Sequence, residues 1–336
     1  MTYDCFPFFN ELDLLEIRLN VLKDVVDKFI IAEAPWTHSG QPKQLLRPCD
    51  MERFAAFKDR MIYLVAGNPP TSPSLTHRQN AWIRENFQRN ELTKGLVHAQ
   101  PDDLILLSDI DEIPDPKAIQ ETKSLTGVTR FDMRFYNFFL NFRNYSVPNW
   151  PIGTQACTFK TFLDERTYSG YSPDQFIPQE VNRGATLSKL RMVASQNKLK
   201  NAGWHFSYCG GIEAIITKLG AFAHTECNTK KSTDPEVIRT AIQSGKDAIG
   251  RGYRFFAEPI DENFPEYIRN NQTKFEKLIV SCNADYLRRT RLPRLMTRLG
   301  GNAYRLMVKC IPPFLVPFAV KVRDTIGTIR RGKAAA

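Results

Sequence analysis

The sequence predicts an α/β protein with a mostly parallel central sheet, and two observations carry that prediction. Short apolar runs at residues 28–33 (KFIIAE) and 61–65 (MIYLV) read as strands buried on both faces, and 104–111 (LILLSDID) reads as the strongest strand, ending in acid. Segments with helical spacing alternate with them, and such alternation is the pattern of a sheet crossed by helices.

Taken in order, residues 12–26 carry apolar side chains at 12, 14, 15, 17, 19, 21, 22, 25 and 26, which predicts a helix. A loop, GNPPTSPS at 67–74, precedes a second helix from Thr76 to about Leu96 that closes near Gly95. Asp115 reads as the N-cap of a third, with Pro116 at its first position. Residues 128–162 are rich in Phe, Tyr, Trp and Asn and read as antiparallel strands. Helices follow at 210–222, after Gly210-Gly211, and at 234–249. From 286 the chain is apolar and basic together and is interrupted by Pro293, Gly300-Gly301, Pro312-Pro313 and Pro317. A catalytic domain over 1–285 and a basic amphipathic extension over 286–336 are expected, the extension with short helices at 292–298 and 304–318.

The charge follows the same division. The 336 residues are 42% hydrophobic and 24% charged, with a net charge of +10, which excludes disorder and collagen. Twelve of the 46 basic residues lie in 286–336 against a single acid, Asp324, leaving 34 basic and 35 acidic residues in the rest. A cationic segment that also carries IPPFLVPFAV suits an anionic membrane surface better than nucleic acid, so no nucleic-acid partner is expected. No basic-then-apolar leader opens the chain, and no run of 18 apolar residues occurs. Seven scattered cysteines form no C-x-x-C pair and fit a reducing compartment. The expected location is cytoplasmic, peripheral at the inner membrane face.

The run LLSDIDEIPD ends a strand in acid. Ligands of an open parallel sheet bind outside the carboxyl ends of the strands, and an extended backbone would direct Asp109 and Asp111 to one side. Two such hard oxygen ligands suit Mg²⁺ or Mn²⁺. Two chemistries fit: a nucleotide-sugar transferase whose metal bridges a diphosphate, or a phosphohydrolase with Asp109 as nucleophile. The continuation Glu112-Ile113-Pro114 and the mid-chain position count against the phosphohydrolase. A non-catalytic glycan-binding protein is a third reading.

Four segments together, YDCFPFFNELDLLEIRL (3–19), ENFQRN (85–90), DDLILLSDIDEIP (102–114) and GWHFSYCGGIE (203–213), resemble glycosyltransferase family 17. The resemblance implies a GT-A-like, Rossmann-like fold, a nucleotide-sugar donor, a Mn²⁺ or Mg²⁺ cofactor and inversion at the anomeric carbon. It points to transfer of N-acetylglucosamine from UDP-GlcNAc in β-linkage. Because the chain opens without an anchor of the animal type, the expected acceptor is a cell-surface glycan or a lipid-linked precursor. On this footing Asp109 and Asp111 hold the metal, with His205 as a third contact and His224 in reserve. Asp109, Arg89 and Glu11 serve the donor, Arg84 backs Arg89, and Asn10 joins Glu11 at uracil or ribose beyond Phe6, Pro7 and Phe8. Glu213 is the expected general base, with Asp174 and Glu226 as reserves. Trp150, Tyr136 and Trp204 are candidates to stack on sugar faces.

Overall fold

The computed structural model describes residues 1–164, 167 and 186–310, with side chains as far as residue 298. The first half contains β1 (Thr2–Phe8), α1 (Leu12–Leu22), β2 (Lys28–Glu33), β3 (Met61–Val65), α2 (His77–Glu91), β4 (Leu104–Leu107), β5 (Glu112–Pro114) and α3 (Pro116–Thr122). There follow β6 (Thr129–Asn137), β7 (Phe142–Asn144), β8 (Asn149–Trp150), β9 (Gln155–Thr158), α4 (Phe159–Leu163), α5 (Leu187–Met192) and β10 (Asn197–Ser207). The last elements are α6 (Gly211–Ala221), α7 (Pro235–Gln243), β11 (Phe255–Ala257), α8 (Glu266–Asn270) and α9 (Ala284–Cys310).

All strands among the described residues join one sheet, ordered β11-β7-β6-β9-β4-β1-β2-β3 along its main path. Pairing is parallel among β4, β1, β2 and β3 and antiparallel from β9 through β11, while β10 runs parallel to β6 and antiparallel to β5. The sheet is therefore mixed: parallel pairing holds in the first half, and the aromatic segment after 128 turns it antiparallel.

The apolar runs are continuous because both faces are covered. Phe6, Phe8, Phe29, Ile31, Leu104 and Leu106 pack against Leu15, Leu19 and Leu22 of α1 and Ile119 of α3. Their neighbours Tyr3, Cys5, Ile30, Ala32, Ile105 and Leu107 face Leu92, Leu96, Leu187 and Leu190 on the other side. This is the two-residue alternation of a strand, with each fully buried large aliphatic side chain contributing about 1.5–3 kcal/mol over exposure. Phe6, Pro7 and Phe8 thus lie within the first strand, not after it, and Phe6 and Phe8 are core residues.

Some predicted boundaries shift for local reasons. α1 stops at Leu22, whose carbonyl accepts from the amides of Val25 and Val26 in a tight turn that still buries Val26. α7 ends at Gln243 because Gly245, at φ +63°, closes it: its amide bonds Ile242 O and that of Lys246 bonds Ala241 O. Pro293 and Gly300-Gly301 do not break the chain, since α9 runs through them to Cys310. One helix therefore replaces the first predicted short helix and the start of the second, while 311–318 lie outside the described residues. α9 begins two residues before the predicted boundary and is tied to the domain, Tyr286 Oη accepting from the Ala257 amide at 2.9 Å and Arg294 sitting over Tyr145. Cys5, Cys49, Cys157, Cys209, Cys227 and Cys282 are free thiols.

One buried cation links these elements. Arg18 of α1 is fully buried and grips Asp4 of β1 with two bonds of 2.7 and 2.6 Å. Its Nη1 donates to the carbonyls of Asp109, Ile110 and Glu112 at 3.0, 3.2 and 2.8 Å, while Nη2, one of the two nitrogens on Asp4, also bonds the Ser108 hydroxyl. Arg18→Met strands the Asp4 charge and takes the side-chain donor from three carbonyls, of which Asp109 O keeps the Glu112 amide, and the loss of one partner of a buried pair costs about 3–5 kcal/mol. Urea denaturation at neutral pH should show that loss, with Asp4→Leu in the same chain recovering part of it; a loss under about 1 kcal/mol would contradict the role.

Candidate active site

The chain moves from β1 outward to β2 and β3, then returns to place β4 on the other side of β1. Between β1 and β4 the strand order reverses, and a crevice opens outside the carboxyl ends at such a point. A cavity of about 280 Å³ lies there. It is lined by Pro7 and Phe8 at the end of β1, by Ala34, Trp36 and His38 beyond β2, and by Asp109, Asp111 and Glu112 beyond β4. Gln88 of α2 holds the ends of β1 and β2 together, its amide donating to Phe8 O at 3.2 Å and Ala32 O at 2.8 Å.

Residues 108–111 form a turn, not extended strand. The argument that a one-residue spacing on a strand aligns the two carboxylates is therefore corrected: the turn fastened by Arg18 brings both to the cavity. Asp109 accepts from Arg89 at 2.8 Å and from Arg191 at 3.2 Å. Burial pushes its carboxyl up, but Arg191 and Arg89 outweigh this and hold it down at about 2. Asp111 accepts from Lys218 at 2.7 Å, and its other oxygen is 3.6 Å from His205 Nε2. Burial again raises it, while Lys218 and His205 bring it well below the usual carboxylate range. Glu112 is buried under a two-pronged contact from Arg191, at 2.7 and 2.6 Å, and accepts from Trp150 Nε1 at 2.7 Å.

His205 reaches the cavity because Gly203 lets β10 pass close to β5. Gly203 has φ +155°, and a Cβ there would stand 2.3 Å from Ile113 O. Two residues on, His205 pairs opposite Glu112 and lies flat on Phe135, ring centroids 5.0 Å apart. Its Nδ1 is buried without a hydrogen-bond partner. Glu11 lines the cavity wall, 3.8 Å from Lys218, with its second oxygen accepting from the amides of Phe9 and Asn10.

Of the residues singled out from sequence, Glu11, Arg89, Asp109, Asp111, His205, His224 and Trp150 line this cavity. Glu213 does not: it sits exposed in the first turn of α6, where an acid suits the helix dipole. Arg84 also stays out, donating to His38 O at 3.2 Å and packing against Gly40. Tyr136 and Trp204 are buried in a separate core cluster, with Trp204 Nε1 bonded to Asn263 O, so neither stacks on a cavity ligand. Asn10 is exposed at the chain turn before α1. Glu226 is bonded to His224 Nδ1 at 3.0 Å. Asp174 lies outside the described residues.

The sequence reading missed Lys218 and Arg191. Lys218 carried a signal, being the one basic residue in GIEAIITKLGA; Arg191 carried none, since it follows Lys189 in a short polar-apolar helix.

Five carboxylates, Glu11, Glu85, Asp109, Asp111 and Glu112, meet three cations, Arg89, Arg191 and Lys218, leaving two negative charges uncompensated. Among the described residues, no three His, Cys, Asp or Glu side chains are already arranged around one metal position. Asp111 and His205 nevertheless fit as a pair of ligands: 3.6 Å is too long for a hydrogen bond, and ligands about 2.0–2.2 Å from one ion stand at comparable separations.

Residues 1–163 match the profile of glycosyltransferase family 17. Over 297 residues the chain is 27% identical to the β-1,4-mannosyl-glycoprotein 4-β-N-acetylglucosaminyltransferases of Rattus norvegicus and Homo sapiens and 26% identical to that of Mus musculus. These alignments cover 80% of this chain and 53% of each relative, so the chain spans about half the length of the curated relatives it matches.

A depressed carboxylate stabilises the fold above its unfolded pKa and loses that contribution as pH falls through its folded value. For Asp109 the contribution is complete near pH 5 and disappears toward about 2. Carboxyl NMR titration should find Asp109 still ionised at about pH 3.5, with Arg191→Gln moving its midpoint up toward the ordinary Asp value, about 3.9; an unmoved midpoint would reject the pairing.

Proposed function

We propose that this chain is a glycosyltransferase that takes N-acetylglucosamine from UDP-GlcNAc and places it, with inversion, on a glycan or lipid-linked glycan. The observation that carries this reading is the joining of Asp109 and Asp111 with Arg89 and Lys218 in one cavity at the strand-order reversal. The match over residues 1–163 and the names of the relatives support the same class. A GT-A-like fold is the matching architecture, with the order β3-β2-β1-β4 as its nucleotide-binding half.

In this reading the diphosphate of the donor faces Arg89 and Lys218, whose positive charge stabilises the leaving group. Asp111 and His205 are the pair that would hold Mn²⁺ or Mg²⁺, with Asp109, now held by Arg89 and Arg191, beside them in the same cavity; the ion would supply Lewis acidity at the diphosphate. Glu11, fixed by two backbone amides at the end of β1, is placed for the nucleoside. Trp150, whose indole is tied to Glu112, offers an apolar surface beside the reacting sugar. With Glu213 outside the cavity, the acceptor proton is assigned to His224, whose Nδ1 is oriented by Glu226 and whose ring lines the same cavity.

The described helices include none long and apolar enough to cross a membrane. α9 instead presents Arg288, Arg289, Arg291, Leu292, Leu295 and Met296 outward, while Tyr286, Thr290 and Arg294 face the domain. We infer that this face rests on an anionic leaflet at the cytoplasmic side, close to a lipid-linked acceptor.

With Mn²⁺ or Mg²⁺ present, purified protein should release UDP from UDP-GlcNAc, and Asp111→Ala should reduce that rate by at least about 100-fold. Full activity in Asp111→Ala would remove the metal assignment, and an aspartyl-phosphate trapped on Asp109 would favour the phosphohydrolase instead. On vesicles containing anionic lipid, replacing Arg288, Arg289 and Arg291 by Gln should weaken binding by roughly two orders of magnitude, at about 1 kcal/mol per basic residue. Equal sedimentation of both proteins would reject α9 as the docking face.

A further inference from the structure

Lys218 is placed unlike an ordinary structural lysine. Its helix, α6, is held in the core by Ile215 and Leu219, and Lys218 leaves that apolar face to enter the cavity. The ammonium sits 2.7 Å from Asp111 Oδ2, 3.8 Å from Glu11 Oε1 and 5.5 Å above the Tyr208 ring. About a quarter of the side chain stays accessible, at 23%, and the residue lines the cavity.

Asp111 consequently has two occupied sides. One oxygen carries the ammonium, and the other faces His205 at 3.6 Å. A divalent cation at Asp111 and His205 would stand within a few ångströms of the ammonium, and like charges that close repel strongly in a partly buried site. Lys218 has a long flexible stem, and Glu11 offers a second anionic contact that keeps the amine on the cavity wall. A diphosphate entering beside the metal brings the negative charge that a displaced ammonium needs, and lysine binds phosphate as a compact point charge.

We propose that Lys218 is a donor-binding residue with two alternating partners: Asp111 while the site lacks a divalent cation, and the nucleotide diphosphate once a cation has taken Asp111. The proposal rests on the nucleotide-sugar reading above. It makes Lys218 a competitor of the metal and an ally of the nucleotide, and these are effects of opposite sign.

Calorimetry separates them. Mn²⁺ alone is titrated into the full chain, then UDP is titrated at saturating Mn²⁺, for wild type, Lys218→Met and Lys218→Arg. In Lys218→Met, Mn²⁺ should bind about tenfold tighter and UDP about tenfold weaker, within the usual size of coupling between neighbouring sites. Lys218→Arg should keep UDP binding near wild type. Lys218→Gln, which removes the charge but keeps a donor to Asp111, should give the same pair of shifts if Lys218→Met fails to fold. A purely structural lysine would weaken both ligands or neither, and either pattern overturns the proposal. If UDP binds wild type and Lys218→Met equally, the role of Lys218 falls while the nucleotide-sugar reading stands. Wild type that binds no UDP at all overturns that reading and the proposal with it.

Discussion

The ion pair between Arg18 and Asp4 is the contact on which the site depends, because it ties the helix α1 to both β1 and the acidic turn that follows β4, the strand paired beside β1. Asp4 is in the middle of β1, Arg18 is on α1, and the guanidinium reaches the carbonyls of residues 109, 110 and 112. A turn that leaves a strand must satisfy its buried carbonyls without sheet partners, and an unpaired buried carbonyl costs about as much as a lost hydrogen bond. Arg18 supplies the missing donors and lies over Phe6, 4.3 Å from its centroid, so its flat face is also packed. The conformation that turns Asp109 and Asp111 into the cavity is thus set from the opposite side of the backbone.

Above that turn, charge is arranged in balanced pairs with a residual excess of acid. Arg191 serves Glu112 and Asp109 together and also bonds Gly153 O, which joins α5 to the floor of the site. Arg89 bridges Asp109 and Glu85. Cations fixed this firmly cost little reorganisation when negative charge develops nearby, which is the physical advantage of a preorganised anion site. The remaining excess of carboxylate charge is the complement of a mobile cation, whether an ammonium or a divalent ion.

The sequence made the parallel half of the sheet legible because strands buried on both faces become unbroken apolar runs, and 28–33 and 61–65 were placed residue for residue. The acidic turn was legible for a related reason: Asp109, Asp111, Glu112 and Asp115 fall within eight residues of the end of LILL, more charge than a strand end needs. The antiparallel half blurred at the ends of its elements, and the breakers after 286 misled. Pro293 in α9 is tolerated within the helix, where Arg294 donates to the carbonyls of Leu287 and Thr290. Glu213, exposed on α6, shows where sequence stops informing, since a carboxylate after a glycine turn looks the same whether its helix points it into a cavity or out to solvent.

What the chain determined by itself was therefore local: the period of its apolar residues, the chemistry concentrated at 109–112, and the segregation of basic charge beyond 286. Which acids and bases would meet was decided only by the tertiary structure. Asp111 and Lys218 are 107 residues apart, and Asp109 and Arg191 are 82 apart. No sequence period relates positions so distant; strand order and helix rotation bring them within hydrogen-bond reach. On β10 the alternation of a strand puts Trp204 and His205 on opposite faces, and the position of that strand in the sheet decides that one face is core and the other the cavity.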